Sequence, residues 1–587
     1  MHHRIMIVKK EKCSPQSCGD FLCIRVSPSN RAGKEAIYKS DDGKVAVNEE
    51  VITDGDRIAA NKCPFHALEM VNLPEELTKE PIHRYGKNGF ALYNLPTPLF
   101  GKVVGIVGRN GIGKTTAIKV LAGVLKPNLG RVGENAKEAS YEELIDYFKG
   151  TEAQNFFEKQ KKGQIKIAYK PQQVDLIPKQ FQGSVKDLLN KTAEGDNVDE
   201  IVKTLELSKI LDRDISNISG GELQRVAIAA TVLKKANVYF FDEPTSYLDI
   251  KQRLKISKFI RSLADENTAV IVIEHDLIIL DYMTDFVHLM YGKEGAFGVV
   301  SMIKTTKMGI NVYLSGYLKE ENVRFRNSEI KFLKRPPPNK LSNEELTSWK
   351  KTSHKLGSFS LEINKGVLYR KDVVGILGEN GIGKTTFVKI LAGEIETDDK
   401  IETLKVAYKP QYLDESDELV MVVLKRAIDK YSTLIINPLN LKDLFTRKLN
   451  ELSGGELQKV MIAKVLSEDS NIILMDEPSA YLDVEQRLTL SKVIKDVLEH
   501  TGKSALIVDH DLLFLDYLSD QMIVFGGEPA IRGEVNGPFE MEAGMNIFLK
   551  DLELTFRRDD ENNRPRANKL DSQLDREQKS KGKLYYS

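Results

Sequence analysis

The stretch VVGIVGRNGIGKTTAIKVLAG at 103–123 returns as VVGILGENGIGKTTFVKILAG at 373–393, 270 residues later, and no other feature constrains the fold of this chain as strongly. Three more motifs return in the same order: YKPQ at 169–172 and 408–411, SGGELQ at 219–224 and 453–458, and FDEPTSYLD at 241–249 as MDEPSAYLD at 475–483. Four motifs in register leave a duplicated domain as the reading. The chain of 587 residues is in any case too long for one core.

The copies differ in one segment. Gly108 to Gln172 spans 64 residues and Gly378 to Gln411 spans 33, so the first copy carries about 31 extra. Much of this insert, 141–164, reads as two short polar amphipathic helices around Gly150 that project as a helix-loop-helix. Between the copies, 316–340 is charged and then proline-rich, which suits a hinge. Acidic and basic residues balance at 85 each, so any nucleic-acid surface is local. The apolar runs, such as Ala269 to Ile273, are strand-length, far below the roughly 20 residues of a membrane span. The start MHHRIMIVKKEKC lacks an apolar signal core, and a cytoplasmic protein without membrane contact is expected.

The pattern GxxxxGK[ST] runs from Gly108 through Gly113, Lys114 and Thr115, and again from Gly378 through Gly383, Lys384 and Thr385, each after a strand-like and before a helix-like run. Glycines allow backbone N–H groups to curl around phosphates at a helix N-terminus, the lysines reach terminal phosphate oxygens, and the threonine hydroxyls suit Mg²⁺. Asn110, Gly111 and Thr116, with Asn380, Gly381 and Thr386, complete these loops. The apolar strands 238–242 and 472–476 end in Asp242 and Asp476, which should hold the Mg²⁺ shell. Glu243 and Glu477, one residue on, are placed to orient an attacking water, since phosphoryl transfer needs positioning more than covalent chemistry.

Together with a late histidine in each copy, these motifs resemble the ABC ATPase superfamily. The resemblance implies that the signature of one domain completes the ATP site of the other: Ser219, Gly220 and Gly221 would face ATP at Lys384, and Ser453, Gly454 and Gly455 would face ATP at Lys114. It assigns Gln172 and Gln411 as Q-loop glutamines that also reach Mg²⁺, His275 and His510 as switch histidines, and Asp249 and Asp483 as D-loop aspartates. For adenine, Tyr85 and Phe90 precede the first loop. The second copy has Leu356 where an aromatic is expected, with Phe359 as a substitute.

All four cysteines, Cys13, Cys18, Cys23 and Cys63, lie in the first 63 residues, which indicates a local metal site over scattered disulfides. Their spacing, with Pro64 after the last, resembles half of a bacterial two-cluster ferredoxin, in which the cysteine before proline serves the other cluster. With the duplicated domains, the insert and the tail at 555–579, the whole chain resembles the ABC subfamily E ribosome-recycling ATPases, the RNase L inhibitor family. That family has eight cysteines and two clusters. Here Ser27, Thr53, Asp56 and Ala59 stand at four of the eight positions, all belonging to one cluster, so the resemblance implies a single [4Fe-4S] cluster on the four that remain. Zinc at the same thiolates and a cluster-free domain are the rivals.

The expected fold is α/β: two tandem ABC-type nucleotide-binding domains and a small α+β ferredoxin-like N-terminal domain. The expected divisions are an iron-sulfur domain at 1–75, a first nucleotide-binding domain at 76–305 with its insert at 139–164, a hinge at 306–345, a second nucleotide-binding domain at 346–545, and a hinge or tail at 546–587. The resemblance implies a monomeric ATPase with two composite sites. It would clamp on ATP to split ribosomal subunits after termination and reopen on hydrolysis, with the small subunit, its rRNA and a release-factor-like protein as partners. Residues 556–587 carry nine basic and six acidic side chains and could meet rRNA phosphates, or form a solvated tail. An ATPase subunit of a membrane transporter, an ATP-gated redox protein and a non-enzymatic ATP-binding scaffold are the alternatives, the last opposed by the intact Glu243 and Glu477.

Overall fold

The computed structural model describes residues 4–72, 80–133, 137–195, 197–326, 328–332, 344–391, 395, 405–411, 416–569 and 571–585. The prolines at 336–338 and the expected boundary at 75/76 lie outside the described residues.

Each repeat builds a twisted, mainly parallel sheet. In the first, Val103–Gly108 lies between Phe286–Lys293 and Ala269–Ile273, with Val238–Asp242 and Ile167–Lys170 beyond the latter, all parallel. In the second, Val373–Leu377 lies between Gln521–Glu528 and Ser504–Val508, followed by Ile472–Asp476 and Val406–Lys409. These central strands are buried at nearly every position, as parallel strands covered on both faces by helices must be. The loops at their carboxyl ends carry the repeated motifs, which is where open α/β sheets bind ligands.

The domains face each other and share one apolar core. It runs from the helix Gly220–Val232 through Leu277–Met283 to Leu512–Leu518 and Gly454–Ser467. The insert forms the helices Tyr141–Tyr147 and Glu152–Lys161 around Gly150. It does not stand clear of its domain as the polar composition suggests. Leu144, Phe148, Ala153, Phe156 and Phe157 are buried with Ile118 and Val238 in one cluster, so its apolar stripe closes on the sheet.

The segment 306–332 is also more than a linker. Helix Thr306–Ser315 buries Ile310, Tyr313 and Leu314, and Phe332 is buried in the shared core. The C-terminal segment folds back on it through the hairpin Phe556–Arg558 and Pro565–Ala567 and the helix Gln573–Lys581. The two basic residues at its centre do not serve a solvated tail: Arg564 is 0% exposed and bonds Asp281 of the first domain, as does Arg566, which also pairs with Asp559. The N-terminal domain pairs Arg4–Val8 with Leu68–Asn72 and docks on the first domain through Asn88, whose side chain bonds both backbone groups of Val47.

Candidate functional site

Both phosphate loops join a buried strand to a helix, Lys114–Leu121 and Lys384–Leu391, and turn through left-handed glycines: Gly111 at φ +71° and Gly113 at +89°, Gly381 at +74° and Gly383 at +100°. A side chain at Gly113 would also collide with Phe90, because its Cβ would lie 2.6 Å from the ring. Lys114 Nζ donates to the carbonyls of Gly108 at 2.9 Å and Arg109 at 2.6 Å, and Lys384 Nζ to Gly378 at 2.7 Å and Glu379 at 3.0 Å. Each ammonium thus sits in the mouth of its own loop. Burial lowers both lysines, Lys384 to about 8.

Asp242 is fully buried beside Thr115, and neither of its carboxylate oxygens has a hydrogen-bond partner. Burial and then the charge of Glu243 push it up to about 6. A buried, unpaired carboxylate is costly unless a cation meets it, so this donor set fits Mg²⁺. In the second copy Thr385 Oγ1 donates to Asp476 Oδ2 at 3.1 Å. Gln172 and Gln411 turn their amide nitrogens to the carboxylates of Glu243 at 2.7 Å and Glu477 at 2.8 Å, leaving the amide oxygens for a cation.

Glu243 and Glu477 hold left-handed backbones at φ +47° and +48°, and Tyr247 and Tyr481 of the D-loops do so at +65° and +62°. For side-chain-bearing residues that is strain, fixed here by surrounding bonds. Buried Lys170 donates to the carbonyls of Asp242 at 3.0 Å and Glu243 at 3.3 Å, and Gln224 Nε2 to Glu243 O at 2.7 Å. Lys409 and Gln458 repeat the arrangement at 2.7 Å each, on the carbonyls of Asp476 and Glu477. These four residues were missed by the sequence reading, although YKPQ and SGGELQ contain them. Their positions inside repeated motifs were the available signal.

The histidines differ. His275 Nε2 lies 3.3 Å from Glu243 Oε1. His510 Nε2 instead meets Asn380 Oδ1 at 3.0 Å and stands 3.7 Å from Glu477. Burial acts to raise Glu243, but the bond and charge of His275, with Lys114, outweigh it and hold the carboxyl at about 2. Burial with the charges of Asp509 and Asp476 pushes Glu477 up to about 6. Burial also lowers both histidines, His510 well below the usual range.

The signature serines cap their helices. Ser219 Oγ accepts from Glu222 N while the Glu222 carboxylate accepts from Ser219 N, and Ser453 with Glu456 does the same. Gly220 and Gly221 pack on Tyr247, as Gly454 and Gly455 do on Tyr481, which joins signature to D-loop. Each D-loop crosses to the other domain. Asp483 Oδ2 accepts from Asn110 N at 3.1 Å, and Asp249 Oδ2 from Asn380 N at 3.1 Å.

Tyr85 is 47% exposed and its hydroxyl is 3.3 Å from Thr116 Oγ1, while Phe90 packs on Gly113. In the second copy exposed Leu356 pairs across the hairpin with Phe359, which packs on Gly383 as Phe90 does on Gly113. Thr386 follows Thr385 on the loop helix.

Cys13, Cys18, Cys23 and Cys63 line one small pocket with Phe21, Leu22 and Leu68, and none is in a disulfide. Ala67 N donates to Cys63 Sγ at 3.4 Å. Burial pushes the Cys23 thiol up to about 12. Among the described residues no group of three His, Cys, Asp or Glu side chains is placed to hold a metal ion as it stands. Four thiols around a cavity fit a [4Fe-4S] cluster as a donor set. The positions Ser27, Thr53, Asp56 and Ala59 do not. The buried Asp56 carboxylate accepts from Ser27 Oγ and Ser29 Oγ at 2.5 Å each, Ser29 N at 3.1 Å, Thr53 N at 2.8 Å and Thr53 Oγ1 at 3.0 Å. A closed polar knot fills that side of the domain.

A family model for ABC transporters matches residues 100–246 and 361–480. The chain is 42% identical to "ABC transporter E family member 1" of Arabidopsis thaliana, over 99% of this chain and 98% of that one. It superposes on a structure described as ribosome-bound archaeal Pelota and ABCE1 with a TM-score of 0.93 at 49% identity, covering 100% of this chain and 99% of the other. A crystal structure of an archaeal ribosome recycling factor with ribosomal stalk protein aP1 matches at a TM-score of 0.82 and 50% identity, over 87% of this chain and 100% of that one. Among the described residues no helix is long and apolar enough to cross a membrane.

Proposed function

Because the chain belongs to the ABC subfamily E ribosome-recycling ATPases, we propose that it clamps two ATP molecules between its domains and uses that closure to separate ribosomal subunits after termination or rescue. Its ABC domains make it an ATPase that binds ATP with Mg²⁺. The observation that carries the two-site reading is the reciprocal crossing of Asp249 and Asp483 into the opposite phosphate loops. An aspartate bonded to the loop that cradles the partner's phosphates ties each site to both domains.

In this mechanism the loop amides, Lys114 and Lys384 bind the phosphates. Thr115 with Asp242, and Thr385 with Asp476, would hold Mg²⁺, with Gln172 and Gln411 beside them, and the ion would supply charge neutralisation at the phosphates. The serines and glycines at 219–221 and 453–455 close over the γ-phosphate from the opposite domain. Glu243 and Glu477 accept a hydrogen bond from the attacking water and align it, while His275 and His510 face the leaving phosphate. Lys170, Gln224, Lys409 and Gln458 keep the strained glutamate backbones in place. Tyr85 offers its ring to adenine in the first site, and Leu356 offers only an apolar surface in the second. Hydrolysis removes the γ-phosphate and the clamp reopens.

Cys13, Cys18, Cys23 and Cys63 would hold one [4Fe-4S] cluster, which supplies a covalent cross-link between distant segments of the N-terminal domain. Ribosomal partners are supported by the relatives' own descriptions, a ribosome with Pelota in one and a stalk protein in the other. The small subunit with its rRNA and a release-factor-like protein in the cytoplasm are therefore the partners assigned, with one chain acting alone. Sedimentation of ribosomes with this protein, ATP and a Pelota-type factor tests the reading. Wild type should convert whole ribosomes into subunits, and Glu243→Gln with Glu477→Gln should remain on the small subunit. Absence of either chain from every ribosomal fraction would overturn the ribosomal role.

A further inference from the structure

Both interdomain sites are flanked by an ion pair, and the charges are reversed between them. Beside the Asp483 to Asn110 contact, Arg109 donates to Glu485 through Nε at 2.8 Å and Nη2 at 2.5 Å. Beside the Asp249 to Asn380 contact, Lys251 Nζ donates to Glu379 Oε1 at 2.7 Å. Arg109 and Glu379 are the same position of the two phosphate loops, one residue after Gly108 and Gly378. Lys251 and Glu485 are the same position of the two D-loop helices, two residues after Asp249 and Asp483. The first domain is thus basic at both positions and the second acidic at both. The neighbours do not vary with them: Asn110 matches Asn380, Gln252 matches Gln486, and Arg253 matches Arg487.

We propose that these two pairs are a charge key that favours closure of the first domain on the second and opposes closure of either domain on its own kind. Two first domains brought together would set Arg109 against Lys251 twice over. Two second domains would set Glu379 against Glu485. The residues beside these pairs are the same in both copies, so at these positions repulsion between like charges supplies the discrimination. The side chains are between 24% and 48% exposed, which makes each pair modest and sensitive to salt. Glu485 has a second duty, because its Oε2 also accepts from Arg326 Nε of the hinge at 3.3 Å. The Lys251–Glu379 pair has no third hydrogen-bond partner among the described residues and is the one to perturb.

The proposal rests on the clamp reading, and the test separates the two. Full-length chains carrying Glu243→Gln with Glu477→Gln, to stop hydrolysis, are titrated with ATP and Mg²⁺, with compaction read by small-angle scattering and molar mass by light scattering. Lys251→Glu should raise the ATP concentration for half-maximal compaction by about fivefold at low salt, and less at high salt. Adding Glu379→Lys to Lys251→Glu should return it to within about twofold of the parent, whereas adding Arg109→Glu should weaken closure further. Glu379→Lys alone gives the second domain complementary charges at its own two positions, and an ATP-dependent dimer rising with protein concentration is expected. Unchanged compaction in Lys251→Glu, equal rescue by both second substitutions, or a strictly monomeric Glu379→Lys chain each overturn the charge key while the clamp stands. A parent chain that does not compact with ATP overturns the clamp, and the key with it.

Discussion

Glu243 and Glu477 occupy one position of a duplicated motif, yet their surroundings set them apart. His275 and Lys114 outweigh burial at Glu243 and hold it near 2, while burial and two aspartates push Glu477 to about 6. A carboxylate must be ionised to align water, so activity at each site falls as pH drops through that site's own value. With Glu243→Gln, which leaves only the second site, phosphate release should fall about tenfold between pH 7.5 and pH 5. With Glu477→Gln the fall over the same range should be smaller, because Glu243 is held well below the usual carboxylate range. The motif that carries both glutamates is plain in the sequence. Their difference is not, because it depends on whether the histidine 32 or 33 residues downstream bonds the glutamate or Asn380.

At the scale of elements, what the sequence reveals depends on how local the cause is. The SGGE runs are capping boxes, and the helices start at them. The insert was readable as two helices, but a short polar helix shows its few apolar residues only as a stripe, and nothing nearby says that Phe148 and Phe157 will stack with centroids 5.5 Å apart against the sheet. The C-terminal segment is the extreme case. Its arginines read as a surface for phosphates, and their acceptor, Asp281, lies 283 residues before Arg564. Removing that acceptor leaves the buried Arg564 guanidinium without its carboxylate, while Arg566 keeps only Asp559. Asp281→Ala should cost about 3 kcal/mol, seen as a lower urea midpoint for the nucleotide-binding domains, and Asp281→Glu should recover part of it.

At the scale of the whole molecule, the duplicated domains, the N-terminal cysteine group and the family were all readable, because each rests on spacing along the chain. The placement of one domain against the other was not, since it depends on contacts such as Asp483 to Asn110 that join residues hundreds of positions apart. The cysteine set leads to a prediction for the intact protein. Chains purified without oxygen should carry about four iron atoms each and the spectrum of one [4Fe-4S] centre. Cys63→Ser should lose that signal, whereas Asp56→Asn should keep the iron and unfold earlier on heating. About eight irons per chain, or stoichiometric zinc, would refute the assignment.

The Asp56 knot changes what oxidants can do to this protein. An iron-sulfur centre can be dismantled by oxygen or peroxide, and its segment then waits for iron, sulfide and the enzymes that reassemble them. A carboxylate held by five hydrogen bonds has no redox state to lose and needs no supply from the cell. That part of the N-terminal domain is thereby exempt from such a repair cycle.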